Sequence, residues 1–144
     1  MKKIFMLAVT VMMLAVSAVC SAANGKVLDA EEAIAEKFIS GGDYKAVSSL
    51  MSADMQQNWN ETVYANMQEQ IAKTFGKLTT NRLRIIQKLD DADVLIYQVV
   101  SEKIPTARFV YVFVVNGEKP LLKDFTLGLP QQEEPAGQQQ AGQQ

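Results

Sequence analysis

The hydrophobic pattern of this chain changes period once. From Leu28 to Phe75 apolar residues recur at helical spacing, and from Lys77 they alternate or run on without a break. The first pattern predicts helices and the second predicts strands. The densest strand signal is Phe109 to Val115, FVYVFVV, which ends in Asn116-Gly117, a two-residue hairpin signature.

Three helices are expected. Asp29 with Glu32 three residues on reads as a capping box, and Ala30, Ala33, Ile34, Lys37 and Phe38 follow at helical spacing. Gly41-Gly42 ends that helix. Asp43 opens a shorter one with Tyr44, Val47, Leu50 and Met51 on its apolar side. Ser52 to Asn58 is polar and leads to Trp59. Asn60 then caps a helix that runs to Phe75, with Val63, Tyr64, Met67, Ile71 and Phe75 as its stripe and Gly76 as its stop.

Four strands follow. Leu83, Ile85 and Leu89 alternate with Arg82, Arg84 and Lys88, which predicts a strand with one face in water. Asp90-Asp91-Ala92-Asp93 is a turn. Val94 to Val100 is apolar on both faces except at Gln98, and Phe109 to Val115 is apolar on both faces throughout. Lys119 to Leu127 is the returning strand, with Pro120 disturbing its first pairings. A regular Asn116-Gly117 turn sets Val115 opposite Glu118 and Phe109 opposite Asp124. Phe109, Tyr111, Phe113 and Val115 then share a face with Leu122 and Asp124.

Helices followed by sequential strands on short turns give an α+β class: N-terminal helices packed on a curved four-stranded antiparallel sheet. A helical layer covers one face of Phe109–Val115. The other face needs a second copy through the sheet, or a folded-over segment, since a patch of this kind is unusual in a monomer.

The ends of the chain change the picture. Met1-Lys2-Lys3, the apolar run Ile4 to Val19 and Cys20-Ser21-Ala22-Ala23 have the layout of a secretory signal peptide over 1–23. A periplasmic or extracellular protein is therefore expected, with no stable transmembrane segment after processing. Val19 and Ser17 do not suit lipidation of Cys20, which leaves with the leader. After Pro130 the sequence is QQEEPAGQQQAGQQ, with nothing to bury, so 130–144 is expected to be a disordered Gln-rich tail. The domain is the stretch 28–129.

Composition excludes more than it assigns. The chain has 144 residues, one cysteine and no histidine. A mature chain without either cannot use a thiolate, a His-based triad or a His/Cys metal site. The formal net charge is −2 and becomes more negative without Lys2 and Lys3, which gives no reason to expect nucleic acid. Asp90, Asp91 and Asp93 lack the calcium-loop spacing, and there is no phosphate loop, so no metal and no cofactor is expected.

Five residues are candidates for a pocket between helices and sheet: Trp59, Tyr64, Gln98, Tyr111 and Phe113. Aromatic walls with one amide suit a small, partly apolar ligand, and a filled core is the competing reading. Asp124, on the aromatic face, is the one weak catalytic candidate; in an apolar cavity its pKa would rise, and Tyr64 or Tyr111 could assist it. Arg82, Arg84 and Lys88 form a basic stripe on the first strand, suited to a partner's carboxylates or to guarding a sheet edge.

FISGGDYKAVSSLMSADM at Phe38 to Met55, MQEQIAKTFGKL at Met67 to Leu78 and the final YVFVVNGEKPLLKDFTL resemble a secreted DUF3887-type domain of the nuclear transport factor 2-like superfamily. The resemblance implies a nuclear transport factor 2-like roll and an accessory or binding role. Some relatives in the superfamily are enzymes with an acid in a cone-shaped pocket. The expected function is an exported, non-enzymatic module for small-ligand binding or protein assembly, with a homodimer through the outer sheet face or an envelope protein as partner. The alternatives are a small cofactor-free enzyme using Asp124 with a tyrosine, and a purely structural subunit.

Overall fold

The computed structural model describes residues 25–117 and 119–128. The expected leader over 1–23, with Cys20, and the expected tail over 130–144 lie outside the described residues. The class is α+β: four helices, then four antiparallel strands in an open sheet.

Helix α1 covers 25–40. Asp29 is therefore inside a helix that is already running, not at its cap. The buried stripe is Glu31, Ile34, Ala35 and Phe38, while Ala33 and Lys37 are exposed. The stripe thus sits one position away from the expected one and takes in a carboxylate. Gly41 and Gly42, at φ 79° and 140°, end the helix in a conformation that costs other residues steric strain.

Helix α2 is Tyr44–Ser48, with the Asp43 carboxylate accepting from the Lys45 amide at its start. Polar 52–58, unassigned from the pattern, holds a further helix. Ser52 Oγ accepts from the Met55 amide and caps α3, Ala53–Asn58. One buried side chain, Met55, fastens it, too little periodicity to read in sequence. Helix α4 is Glu61–Phe75, capped by the Asn60 side chain as expected. Tyr64, Met67, Ile71 and Phe75 are buried, whereas Val63 is 39% exposed.

The strands are β1 Leu78–Lys88, β2 Asp93–Ser101, β3 Ala107–Asn116 and β4 Lys119–Gly128, in the order β1-β2-β3-β4. Residues 50–52 extend the sheet beyond β4: the Ser52 amide donates to the Leu122 carbonyl at 2.7 Å, and the Leu122 amide to the Leu50 carbonyl at 2.8 Å. This tie shields part of one edge, while β1 is the other edge.

Bulges correct the expected register. The β3–β4 hairpin closes with Asn116 opposite Lys119 and Val115 opposite Pro120. The ladder then shifts between Val112 and Phe113, with Lys123 as the extra residue of β4. Val112 opposes Asp124 and Tyr111 opposes Phe125. A bulge reverses parity beyond it, so Phe125 turns inward and Asp124 outward. A second shift at Leu83/Ile85 makes Arg84 the extra residue of β1. Leu83 stays on the inner face, Ile85 turns outward at 50% exposure, and Lys88 turns inward opposite Asp93.

The core lies between helices and sheet. Phe38 is its hub, with ring centroids 5.0 Å from Phe125, 5.4 Å from Tyr64, 5.6 Å from Trp59 and 6.5 Å from Tyr111. Most of these pairs are tilted or edge-on, the favoured aromatic geometry. Tyr64 Oη donates to the Phe38 carbonyl at 2.8 Å and Gln68 Nε2 to the same oxygen at 3.0 Å. These bonds satisfy a carbonyl in the last turn of α1 and join it to α4.

Candidate functional site

The five expected pocket residues separate. Tyr64, Tyr111 and Phe113 are 3%, 0% and 0% exposed and belong to one aromatic core cluster. They fill the space they were expected to line. Trp59 is half-buried at the rim. Gln98 is on the opposite face of the sheet, in register with Arg82 and Arg108. Asp124 also faces away from the helices, is exposed, and accepts from the Phe125 amide at 2.8 Å. It has no aromatic cavity around it, so the acid–base role expected of it falls with the register on which it rested.

Trp59 instead borders a surface groove of about 400 Å³ between α4 and β4, lined with Val63, Met67, Gln70, Phe125 and Leu127. The exposed Val63 is part of its wall. A second concavity, about 350 Å³, lies between α1 and β1 against Glu32, Glu36, Asn81 and Tyr97. Burial and the charges of Glu32 and Glu36 push the Tyr97 hydroxyl well above the ordinary tyrosine range, so it stays a proton donor at any physiological pH.

A buried charge cluster was not anticipated. Glu31, from α1, is 0% exposed, and Asp93, at the start of β2, is 7% exposed. Lys88, at the end of β1, ion-pairs with both: its Nζ lies 3.4 Å from Glu31 Oε2 and in close contact with Asp93. Burial and the hydrogen-bonded Asp93 carboxylate raise the Glu31 pKa from 4.5 to about 7, against the pull of Lys88. Burial draws the Lys88 ammonium down, but the two carboxylates outweigh it and it titrates above its usual value. Glu31 Oε1 finds no hydrogen-bond partner among the described residues. Glu31 and Asp93 are buried while the Lys88 side chain stays 44% exposed, and the cluster ties α1 to two strands. Its signal in the sequence was the position of Glu31, three before Ile34 and seven before Phe38.

The Tyr111 hydroxyl is a second orphan, buried at 0% exposure with no partner among the described residues. Burial, then the neighbouring Tyr97, raises its pKa far beyond the ordinary tyrosine range.

The largest feature without a structural explanation is the outer face of the sheet. Val94 and Ile96 of β2, Val110, Val112 and Val114 of β3 and Leu121 of β4 are half-buried side chains outside the core cluster. Ile85 joins them from β1 at 50% exposure. The register places Ile85, Ile96 and Val110 in one row and Val94 and Val112 in the next. No described helix covers this band, because the four helices pack on the inner face. Of the described residues, none forms a group that could hold a metal ion, and no helix is long and apolar enough to cross a membrane.

No protein-family model, curated protein or solved structure matches this chain.

Proposed function

We propose that this protein is an exported, non-enzymatic assembly module that self-associates through the outer face of its sheet. The observation that carries the reading is the pairing of a packed aromatic interior with an aliphatic band that no described helix covers. Tyr111, Phe113 and Leu122 are fully buried under the helices, while Val94, Ile96, Val110, Val112, Val114 and Leu121 stand on the far side. Flat β-branched surfaces interdigitate well when sheets stack about 10 Å apart, and a two-fold axis lets one such surface serve both partners.

Area sets the strength. Four strands at about 4.8 Å and some seven residues at about 3.3 Å give a footprint of roughly 400 Å² per copy. Two copies reach only the low end of specific interfaces, on the order of 1,000 Å². The expected dimer is therefore weak and concentration-dependent. The finer fold assignment, a nuclear transport factor 2-like roll of the DUF3887 type, accords with this reading through the order of helices and strands and the sequence resemblance, and export accords with the leader-like N-terminus.

Sedimentation equilibrium tests the reading. The wild-type protein should pass from monomer to dimer over roughly micromolar to millimolar concentration, and Val112→Glu should stay monomeric with an unchanged far-ultraviolet spectrum. A wild-type monomer over that whole range would defeat it.

A further inference from the structure

We infer that Arg82, Arg84 and Arg108 form a binding site for an anionic oxygen group, a phosphate, on the outer sheet face around Gln98. The three arginines were not all visible as a set. Arg82 and Arg84 read as part of a β1 stripe with Lys88, but the bulge turns Lys88 to the inner face, and β3 supplies Arg108 in its place.

Arg82, Gln98 and Arg108 share one register row across β1, β2 and β3. With strands about 4.8 Å apart, the two arginine backbones flank Gln98 at roughly 10 Å separation, within the reach of two long side chains toward a common ligand. Arg84, the bulged residue, is aimed by Gln98: its Nε donates to Gln98 Oε1 at 2.8 Å. That bond leaves the terminal guanidinium nitrogens free to act. Gln98 Nε2 in turn donates to Thr106 Oγ1 at 3.3 Å, so the amide that holds Arg84 is itself fixed.

Two concavities open beside this pair. One, about 260 Å³, is lined by Thr80, Arg82, Arg84, Gln98 and Val100. The other, about 240 Å³, touches Arg84, Gln98, Thr106 and Arg108. Neither has a carboxylate in its wall, and among the described residues none of the three arginines makes an ion pair. The chain carries a net charge of −2, so this is a local reversal of sign.

Protection of a sheet edge explains charges on β1 but not Arg108, which lies on an interior strand. Planar guanidinium forks match the oxygens of phosphate in pairs. The site lies one row beyond the aliphatic band, whose Ile85 and Ile96 also line the second concavity, while the first is lined by none of the band's residues.

The test is titration of the protein with inorganic phosphate at ionic strength held constant with chloride. The side-chain Nε–H of Arg84 and the Gln98 amide are followed by nuclear magnetic resonance. A parallel arm uses phosphatidylglycerol vesicles, with phosphatidylcholine vesicles as control. Saturable shifts of both resonances are expected. R82Q/R108Q keeps the Arg84–Gln98 bond, so it should leave the starting spectrum intact and weaken binding on the order of ten-fold per arginine removed. A response to phosphate alone assigns a soluble phosphate, to the anionic vesicles alone a lipid head group, and to both a site open to either. Unchanged resonances with both probes, or equal affinity in R82Q/R108Q, would overturn the inference.

Discussion

Two buried polar groups set the behaviour of single residues here. Glu31 has a folded-state pKa of about 7 against an ordinary 4.5. A raised carboxyl pKa means that the folded state binds the proton more tightly than the unfolded state. Its stabilising contribution is full below about 4.5 and is lost as pH rises through 7. The size is on the order of 3 kcal/mol. Glu31→Gln should flatten the stability profile between pH 5 and 8 and raise stability at the alkaline end, measured by urea unfolding. An unchanged slope would show that the carboxyl is not the titrating group. Tyr111→Phe removes a hydroxyl that is buried without a partner among the described residues and should stabilise the fold by about 1 kcal/mol, read as a rise in melting temperature. A fall of similar size would mean that the hydroxyl is satisfied after all. Residue type marks neither in the sequence, and Glu31 shows only by its helical spacing from Ile34 and Phe38. Tyr111 reads as one more strand aromatic, and Glu31 as one of four acidic residues in an amphipathic helix.

At the scale of elements, bulges decide which side chains meet. Lys123 turns Asp124 out and Phe125 in, and Arg84 turns Ile85 out and Lys88 in. Periodicity located the hairpin, β2, β3 and the long helix α4 because each is a strong repeating pattern. It cannot locate a bulge, where one extra residue reverses parity without changing composition. The catalytic expectation for Asp124 and the basic stripe containing Lys88 failed for that one reason. Helix α3 shows no legible period because six residues with one buried side chain offer too few apolar positions. Stops were legible where chemistry forces them. Gly76 ends α4 at φ 67°, and a methyl group there would meet Glu102 Oε2 at 3.0 Å. Gly76→Ala should therefore destabilise the protein by about 1–2 kcal/mol, detected as a lower urea midpoint with an unchanged denaturant slope; no change would show that the backbone relaxes freely at this cap.

The whole molecule has one finished face and one unfinished face. The inner face is an aromatic core closed by α1 and α4. The outer face presents an aliphatic band with three arginines at its end. The α+β class and the two apolar faces of β3 could be read directly, since Phe109, Tyr111 and Phe113 alternate with Val110, Val112 and Val114. Whether the space beneath the helices was hollow could not, because an aromatic wall and an aromatic filling have the same composition. The decisive measurement is on an equimolar mixture of methyl-labelled and unlabelled protein, recording intermolecular nuclear Overhauser effects from the methyl groups of Ile96, Val110 and Val112. Cross-peaks are expected between these methyls and the same face of the other copy, strengthening with concentration and absent in Val112→Glu. A dimer whose contacts arise from the α4–β4 groove, or no intermolecular effect at millimolar protein, would contradict association through this face.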